Sequence, residues 1–293
     1  MQVEIIEVGP RDGLQREKTF IPTDQKITLI QKLVEAGLRR IQVTSFVHPK
    51  AVPQMADAEQ VCAGLSHVEG VVYSGLVLNL KGLERARNAG LNDVDVSISA
   101  SDSHSRQNAN MSLADAQTHF HEMVARAREY GLTIRGGIQC AFGYYENDVT
   151  DDLVIELARQ HLALGLDELA LADSTGMANP AQVARLLAKI IPMAEGKPVI
   201  LHLHDTRGMG LANVVAALEA GCCHFDTAFG GLGGCNFIEK ATGNIATEDT
   251  VYMLHAMGYQ TGVDIAKVAE VSKMMESLLG KQSLPGKMYQ LLG

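Results

Sequence analysis

The sequence predicts a TIM-type (β/α)8 barrel, of the α/β class, with a C-terminal helical extension, on three observations. Eight short runs rich in apolar and β-branched residues alternate with amphipathic helical stretches, which is typical of parallel β/α units. Several of these runs are almost continuously apolar, as expected for parallel strands that are buried on both faces. No Gly-x-Gly-x-x-Gly motif follows the first run, which disfavours an open dinucleotide-binding sheet.

The eight predicted strands are Glu4–Val8, Arg40–Phe46, Val71–Leu78, Val94–Ala100, Thr133–Ala141, Glu168–Ala172, Pro198–His204 and His224–Phe229. Five of the connecting segments share one pattern, in which a helix end is followed by a glycine and then by a strand. Their glycines, which suit the left-handed conformation that ends many helices, are Gly37, Gly90, Gly131, Gly165 and Gly221. The uneven spacing of these glycines indicates a repeated structural unit rather than a sequence repeat.

The domain organisation predicted for residues 1–293 is a single catalytic barrel, because no linker interrupts the alternation of strands and helices. A single α/β barrel commonly needs about 250 residues. The sequence turns helical after Thr247, through TEDTVYMLHAMG and DIAKVAEVSKMMESLL. We therefore interpret residues 247–293 as the last barrel helix followed by a helical extension.

Composition excludes several classes of function. The net charge of −9 argues against nucleic-acid binding. No apolar stretch approaches the roughly 20 residues of a membrane-spanning helix, so we expect no membrane partner. Five irregularly spaced cysteines make a disulfide framework unlikely, and the first residues do not resemble a targeting peptide. These features together favour a cytoplasmic protein.

Polar side chains follow the first and the seventh predicted strands. The first strand leads into GPRDG, which places Arg11 and Asp12 at the barrel end where TIM barrels carry their active sites. The seventh ends in HLHD, and His202 and His204 share one face because they lie two positions apart on a strand. This pair is either a ligand set for a divalent metal or a pair of structural histidines. Asp12 is either a further metal ligand or a turn residue.

Three further residues near the predicted mouth have open roles. Asn244 precedes the helical stretch TEDTVYML, where it is either a helix cap or a metal ligand. Cys235 follows the glycine-rich segment GGLGG, which is suited to close over the mouth, and it is either an apolar filler or a proton donor. Asp173 follows the sixth strand and is either a base near the metal or a cap of the helix near Pro180.

Four long motifs in order closely resemble segments of the 3-hydroxy-3-methylglutaryl-CoA lyase family. They are EVGPRDGLQREK, TSFVHPKAVPQMAD, HLHDTRGMGLAN and GGLGGCNFIEKATGNIATEDTVYML. The resemblance covers nearly the whole chain and implies a metal-dependent TIM barrel that cleaves an acyl-CoA substrate to acetyl-CoA and acetoacetate. It also implies a homodimer and a divalent cation, for which we expect Mg²⁺ or Mn²⁺.

The resemblance implies roles for individual residues. The implied metal ligands are Asp12, His202, His204 and Asn244. The residues to which we assign catalytic roles are Arg11, Asp12, His202, Cys235 and Asp173. The residues to which we assign substrate binding are Arg11, Gln15, Gln42 and Ser45. In the implied retro-Claisen reaction, Asp12 or His202 takes the proton of the 3-hydroxyl group, and Cys235 or a water beside it protonates the enolate.

The sequence departs from the family pattern at positions expected near the pocket. Gln42 stands where the family typically has glutamate, so an acceptor oxygen is kept while a charge is lost. Gly143–Asp148 reads GYYEND in place of a Cys-Pro-Tyr-Glu-Gly pattern, and SASDSHSRQNANMS also differs from its usual counterpart. We therefore keep a citramalyl-CoA-type lyase as the alternative substrate hypothesis. An aldolase, a condensing enzyme and a non-catalytic acyl-CoA-binding protein are the further alternatives.

Overall fold

Eight parallel strands pair in chain order and close into a barrel, in a computed structural model that describes residues 1–145, 147–234 and 242–292. The strands are β1 (Glu4–Glu7), β2 (Arg40–Ser45), β3 (Val72–Val77), β4 (Asp93–Ser99), β5 (Thr133–Gln139), β6 (Glu168–Asp173), β7 (Val199–Leu203) and β8 (His224–Thr227). Strand β1 pairs with β2 on one side and with β8 on the other, so the predicted closed barrel is confirmed.

All eight predicted strands are present, and their ends differ from the predicted ends by a few residues. Strand β8 ends at Thr227, two residues early, because a tight turn begins at Phe229. Strand β5 also ends early, at Gln139, since the next residue, Cys140, has a left-handed φ of 54°. Turn geometry therefore sets these boundaries, and strand propensity does not.

Helices surround the barrel. They are α1 (Thr23–Glu35), α2 (Ala58–Gly64), α3 (Leu80–Asn88), α4 (Asp102–Ala109), α5 (Leu113–Glu129), α6 (Asp151–Ala163), α7 (Pro180–Met193), α8 (Gly210–Glu219), α9 (Thr247–Ala256), α10 (Ile265–Leu279) and α11 (Met288–Leu291). The side chains that cap their first turns by accepting a backbone N–H are Asn79, Ser101, Ser112, Thr150, Asn179 and Asp264. Such caps satisfy donors that the first turn of a helix leaves unpaired.

The five glycines predicted to end helices all have positive φ angles, between 71° and 96°, which confirms their assignment. Gly90 has open space where a side chain would begin, so its backbone angle alone favours glycine there. Gly37 faces a second constraint, because a Cβ atom would lie 2.2 Å from the carbonyl oxygen of Gly262.

The C-terminal region is helical, as predicted. Helix α9 begins at Thr247, and α10 and α11 form the extension that follows it. Helix α10 packs against both α1 and α9, so the extension contacts the first and the last helix of the barrel. In the part of the chain that the structure describes, no helix has both the length and the hydrophobicity needed to cross a membrane.

The two glycines Gly37 and Gly90 provide a matched test of backbone and steric costs. We expect Gly90→Ala to lower the free energy of unfolding by about 1 kcal/mol, the cost of a left-handed alanine. Gly37→Ala carries this cost and a backbone clash, so we expect a loss of about 3 kcal/mol. Urea unfolding of both variants measures the difference, and equal losses would contradict the contact with Gly262.

Candidate metal and substrate site

The turn that follows β1 positions Arg11 and Asp12. Residues Gly9–Gly13 form one wide π-helical turn in which the N–H groups of Arg11, Asp12 and Gly13 all point to the carbonyl oxygen of Val8, at 3.1, 2.7 and 3.3 Å. All five residues of the turn are buried. The turn therefore presents both charged side chains to the barrel mouth from a fixed backbone.

His202 and His204 lie on the same side of β7 and its continuation, as their spacing predicts. Their Nε2 atoms are 3.2 Å apart, and Oδ2 of Asp12 is 4.0 Å from each of them. Because bonds from a cation such as Mg²⁺ or Zn²⁺ to its ligands are about 2.1 Å long, atoms at these separations can share one cation. The three side chains are all buried.

Asn244 does not cap a helix, which corrects the simpler of its two interpretations. Helix α9 has Ala246 at its N-cap, with no side-chain cap. Nδ2 of Asn244 instead donates to Oδ2 of Asp12 at 2.8 Å and to the carbonyl oxygen of Leu232 at 3.0 Å. Its Oδ1 is buried without a hydrogen-bond partner among the described residues. A buried acceptor of this kind costs free energy when it is unpaired, so the residues fit a bound cation.

Asp226, which sequence reasoning missed, orients His202. Its Oδ2 lies 3.0 Å from Nδ1 of His202, and its two oxygens accept from both terminal nitrogens of Arg135. Nδ1 of His202 donates to this carboxylate, which leaves the lone pair of Nε2 for a metal. Arg135 also lies 3.3 Å from Asp95 through its Nε atom. The available signal was a charged residue at an interior position of each of three strands, β4, β5 and β8.

Electrostatics favours the protonation states that metal ligands need. Burial alone raises the pKa of Asp12, but Arg11, His202 and His204 outweigh it and the pKa is lowered. Burial, helped by His202, lowers the pKa of His204 to about 4, so its imidazole is neutral at pH 7. Burial would also raise the pKa of Asp226, but the neighbouring charges, mainly that of Arg135, lower it. The carboxylates are therefore charged and His204 is neutral.

Arg11 is held by two neighbours. Its Nε donates to Oε1 of Gln42, and its Nη1 pairs with Oδ1 of Asp12. Gln15 also donates to Oδ1 of Asp12, at 2.8 Å. Since arginine is only a donor, Oε1 of Gln42 must face it, and the amide Nε2 must point elsewhere. The structure therefore places Arg11 and Gln15 around one oxygen of Asp12, with Gln42 bound to the other side of Arg11, and leaves the second oxygen of Asp12 on the histidine side.

These side chains line a cavity of about 230 Å³ at the barrel mouth. Its wall includes Arg11, Asp12, Gln15, Gln42, His202 and His204, together with an apolar side formed by Val47, Val52, Leu76, Leu78, Val96 and Ile138. The cavity thus combines the ligand set with a surface suited to the carbon skeleton of a small acid.

Two predicted site residues, Ser45 and Asp173, do not line the cavity. Ser45 is buried at the end of β2, does not line the cavity, and has no hydrogen-bond partner for Oγ among the described residues. Asp173 does not cap α7, a role that Asn179 fills; it accepts from the N–H groups of Met177 and Ala178, at 2.9 and 3.1 Å. Burial raises its pKa to about 6. Cys235 lies outside the described residues.

The glycine-rich segment after β8 packs onto the ligand set. A Cβ atom at Gly233 would lie 2.3 Å from Nδ2 of Asn244 and 3.0 Å from Oδ2 of Asp12, and φ is +119°. Glycine is therefore required for the backbone to approach these side chains this closely. The described part of this segment therefore forms part of the wall of the site.

Known proteins resemble this chain along nearly all of its length. The HMGL-like family model matches residues 2–275. A hydroxymethylglutaryl-CoA lyase of Bacillus subtilis is 43% identical over 291 residues, which are 99% of this chain and 97% of that protein. A cytoplasmic 3-hydroxy-3-methylglutaryl-CoA lyase of Mus musculus is 41% identical over 280 residues, which are 95% of this chain and 82% of that protein.

A solved structure also superposes closely on this one. It is an HMG-CoA lyase from Acinetobacter baumannii in complex with coenzyme A and 3-methylmalate, with a TM-score of 0.94 and 40% identity. The match covers 99% of this chain and 94% of that one.

Asp226 and Asp95 allow the role of the carboxylate behind His202 to be tested. We expect Asp226→Asn to weaken Mn²⁺ binding by about 10-fold to 100-fold, because His202 loses its charged partner. The variant also removes a counterion of buried Arg135, for which we expect a stability loss of about 3 kcal/mol. Asp95→Asn is the control, since Asp95 contacts Arg135 and does not contact His202. Titration with Mn²⁺ followed by electron paramagnetic resonance measures the affinities, and equal weakening in both variants would refute a specific role for Asp226.

Proposed function

The chain belongs to the HMGL-like family, and from this premise we propose that it is a metal-dependent carbon–carbon lyase. The proposed reaction is the cleavage of 3-hydroxy-3-methylglutaryl-CoA, or a close analogue, to acetyl-CoA and acetoacetate. The observation that carries the proposal is the convergence of Asp12, His202, His204 and Asn244 beside Arg11 in one cavity. A cation site beside a fixed arginine suits a substrate that carries a hydroxyl and a carboxylate.

A small acid attached to coenzyme A is the substrate class that we propose. The related A. baumannii lyase is described with coenzyme A and 3-methylmalate, which is a hydroxy diacid. A comparable acid would place its polar groups against Arg11 and the ligand set, and its methyl carbon against the apolar wall of the cavity. The cavity volume of about 230 Å³ supports an acyl group of this size, with the coenzyme outside it.

The proposed retro-Claisen cleavage conserves atoms and electrons. A base takes the proton of the 3-hydroxyl group, and the carbonyl of acetoacetate forms at C3 as the C2–C3 bond breaks. The electron pair of that bond passes to the thioester as an enolate. One proton delivered to C2 then gives acetyl-CoA, and Cys235 is the proposed donor. A divalent cation bound to the ligand set would lower the pKa of the hydroxyl group.

Among the described residues, Asp12 is better placed than His202 to take the hydroxyl proton. Nε2 of His202 is the atom that faces Asp12 and His204, so metal binding and base catalysis would need the same lone pair. Asp12 has two oxygens, one toward the histidines and one toward Arg11 and Gln15. The hydrogen bonds of Arg11 to Gln42 and Asp12 use Nε and Nη1, and we assign Nη2 to the developing oxyanion.

The cation, the location and the assembly are further parts of the proposal. The ligand set of two imidazoles, one carboxylate and one amide suits Mg²⁺ or Mn²⁺, and Mn²⁺ is the better probe because it is paramagnetic. We also propose a cytoplasmic location and a homodimer, which the resemblance to the family implies.

The central test is turnover of 3-hydroxy-3-methylglutaryl-CoA with Mg²⁺ or Mn²⁺. We expect release of equal amounts of acetyl-CoA and acetoacetate, and loss of this activity when a chelator removes the metal. Asp12→Ala removes a ligand and the proposed base, so kcat should fall by at least about 100-fold. A metal-loaded, folded protein that releases no acetoacetate would overturn the substrate assignment, and citramalyl-CoA, which yields pyruvate, would be assayed next.

Two variants of Gln42 test how Arg11 is held. Gln42→Met removes the acceptor for Nε of Arg11 while keeping the length of the side chain, so kcat should fall by about 10-fold to 100-fold. Gln42→Glu keeps an acceptor, and we expect its kcat to stay within about threefold of the wild-type value. Steady-state assays give both numbers. Full activity of the methionine variant would show that Gln42 does not position Arg11.

A further inference from the structure

One buried carboxyl group, outside the cavity, binds three distant parts of the chain. Glu7 is the last residue of β1 and is fully buried. Its Oε1 accepts from the N–H groups of Gly9 at 2.7 Å and Phe229 at 3.1 Å. Its Oε2 accepts from the hydroxyl of Thr247 at 2.7 Å. The partners Phe229 and Thr247 are more than 200 residues away along the chain.

Each of these three partners belongs to a segment that builds the ligand set. Gly9 begins the turn that carries Asp12. Phe229 begins the glycine-rich segment that packs against this turn. Thr247 follows Asn244 by only three residues and begins α9. The relative positions of Asp12 and Asn244, whose side chains are hydrogen-bonded, are thus set by the same carboxyl group.

We propose that Glu7 is a positioning residue for the metal centre, because it holds the Asp12 turn, the glycine-rich segment and the Asn244 segment in one arrangement. The inference rests on the proposed function, since it concerns the same ligand set. Glu7 does not line the cavity, so it acts through the backbone that it binds and has no direct contact with substrate.

The backbone and side chains pack closely around the Glu7 carboxyl group. A Cβ atom at Gly9 would lie 2.4 Å from the ring of Phe229 and 2.6 Å from Oε1 of Glu7. Thr247 gives its single hydroxyl hydrogen to Glu7, so it accepts in turn from the hydroxyl of Thr227, at 2.7 Å. The carboxyl group is therefore the centre of a closed hydrogen-bond network that the surrounding backbone cannot replace.

A second buried carboxyl group reinforces the same segment. Both oxygens of Glu248 accept from the N–H of Gly230, at 3.2 and 3.0 Å, and one of them also binds Ser272 of α10. Two neighbouring N–H groups of the glycine-rich segment, those of Phe229 and Gly230, are thus each bound by a different glutamate. The segment is fixed on the barrel side by Glu7 and on the helical side by Glu248.

The three contacts of Glu7 need hydrogen-bond acceptors and do not need a negative charge. Burial, with a smaller contribution from the Glu248 carboxyl, raises the pKa of Glu7 to about 8. A glutamine at this position can accept through Oε1 from Gly9 and Phe229 and can donate through Nε2 to Thr247. Thr247 then donates its hydroxyl hydrogen to Thr227. The donor and acceptor exchange roles in the bonds of Thr247, and no hydrogen bond is lost.

This reasoning defines the variants. Glu7→Gln preserves the network, Glu7→Met fills the same space without any acceptor, and Thr247→Val removes only one of the three contacts. Lys26→Met is the control for stability, because it breaks the buried ion pair between Lys26 of α1 and Asp57, which precedes α2, away from the cavity. Each purified protein is measured for thermal unfolding, for the Mn²⁺ dissociation constant by electron paramagnetic resonance, and for kcat and KM.

We expect Glu7→Met to weaken Mn²⁺ binding by about 10-fold to 100-fold and to lower kcat more than it changes KM. Thr247→Val should weaken binding by a smaller factor, about threefold to tenfold, and it also gives the answer if the methionine variant does not fold. Glu7→Gln should remain within about threefold of wild type. Lys26→Met should lower the midpoint of thermal unfolding and leave the Mn²⁺ affinity unchanged.

Two results would overturn the inference. The first is wild-type Mn²⁺ affinity in the folded Glu7→Met and Thr247→Val variants, which would make Glu7 a structural residue only. The second is an equal loss of affinity in Lys26→Met, which would trace the effect to general stability. Failure of the wild-type protein to bind Mn²⁺ would overturn the proposed function together with this inference, so the two failures are distinguishable.

Discussion

The parallel pairing of β8 with β1 is the interaction on which the site depends. Strand β8 lies between the histidines of β7 and the turn of Asp12, and its register places Asp226 beside His202 on one side and beside Ile6 on the other. Adjacent strands are about 4.8 Å apart, so the two outer strands are separated by roughly 10 Å. The side chains of Asp12 and His204 span this distance only because both lie beyond their strand ends and lean over the mouth.

The charges of the described residues that line the cavity balance one another. They are those of three arginines (Arg11, Arg16 and Arg135) and three aspartates (Asp12, Asp95 and Asp226), and the neutral imidazole of His204 adds none. Burying such ions costs several kcal/mol each unless they are paired, so pairing is required for the fold as well as for the site. In the proposed reaction a divalent cation would add positive charge there, which would favour the carboxylate and the thioester oxygen of an anionic substrate.

The sequence was sufficient for features that depend on local periodicity or on one backbone angle. The alternation of apolar and helical segments predicted the barrel, and the spacing of His202 and His204 predicted their common face. Features that depend on distant pairing stayed open or were missed. Asn244 precedes a helix, so its local context suggests a cap; its contact with Asp12 arises only when the barrel closes. Asp226 and Glu7 were missed for the same reason, because nothing local indicates what a buried carboxylate faces. Ser45 was expected to bind substrate, but it does not line the cavity, although it lies on the same strand as Gln42.

Gln42 shows how a change of charge can leave a contact intact. Its oxygen accepts from Nε of Arg11, and this contact orients the guanidinium whether the acceptor is an amide or a carboxylate. With an amide there, Asp12 is the one carboxylate among the described residues that pairs with Arg11, and Arg11 keeps more of its positive field toward the cavity. In the proposed reaction that field would stabilise negative charge on the substrate, but it also holds the pKa of Asp12 down and makes Asp12 a weaker base. In the proposed reaction these two effects oppose each other, which is why we expect Gln42→Glu to change kcat only slightly.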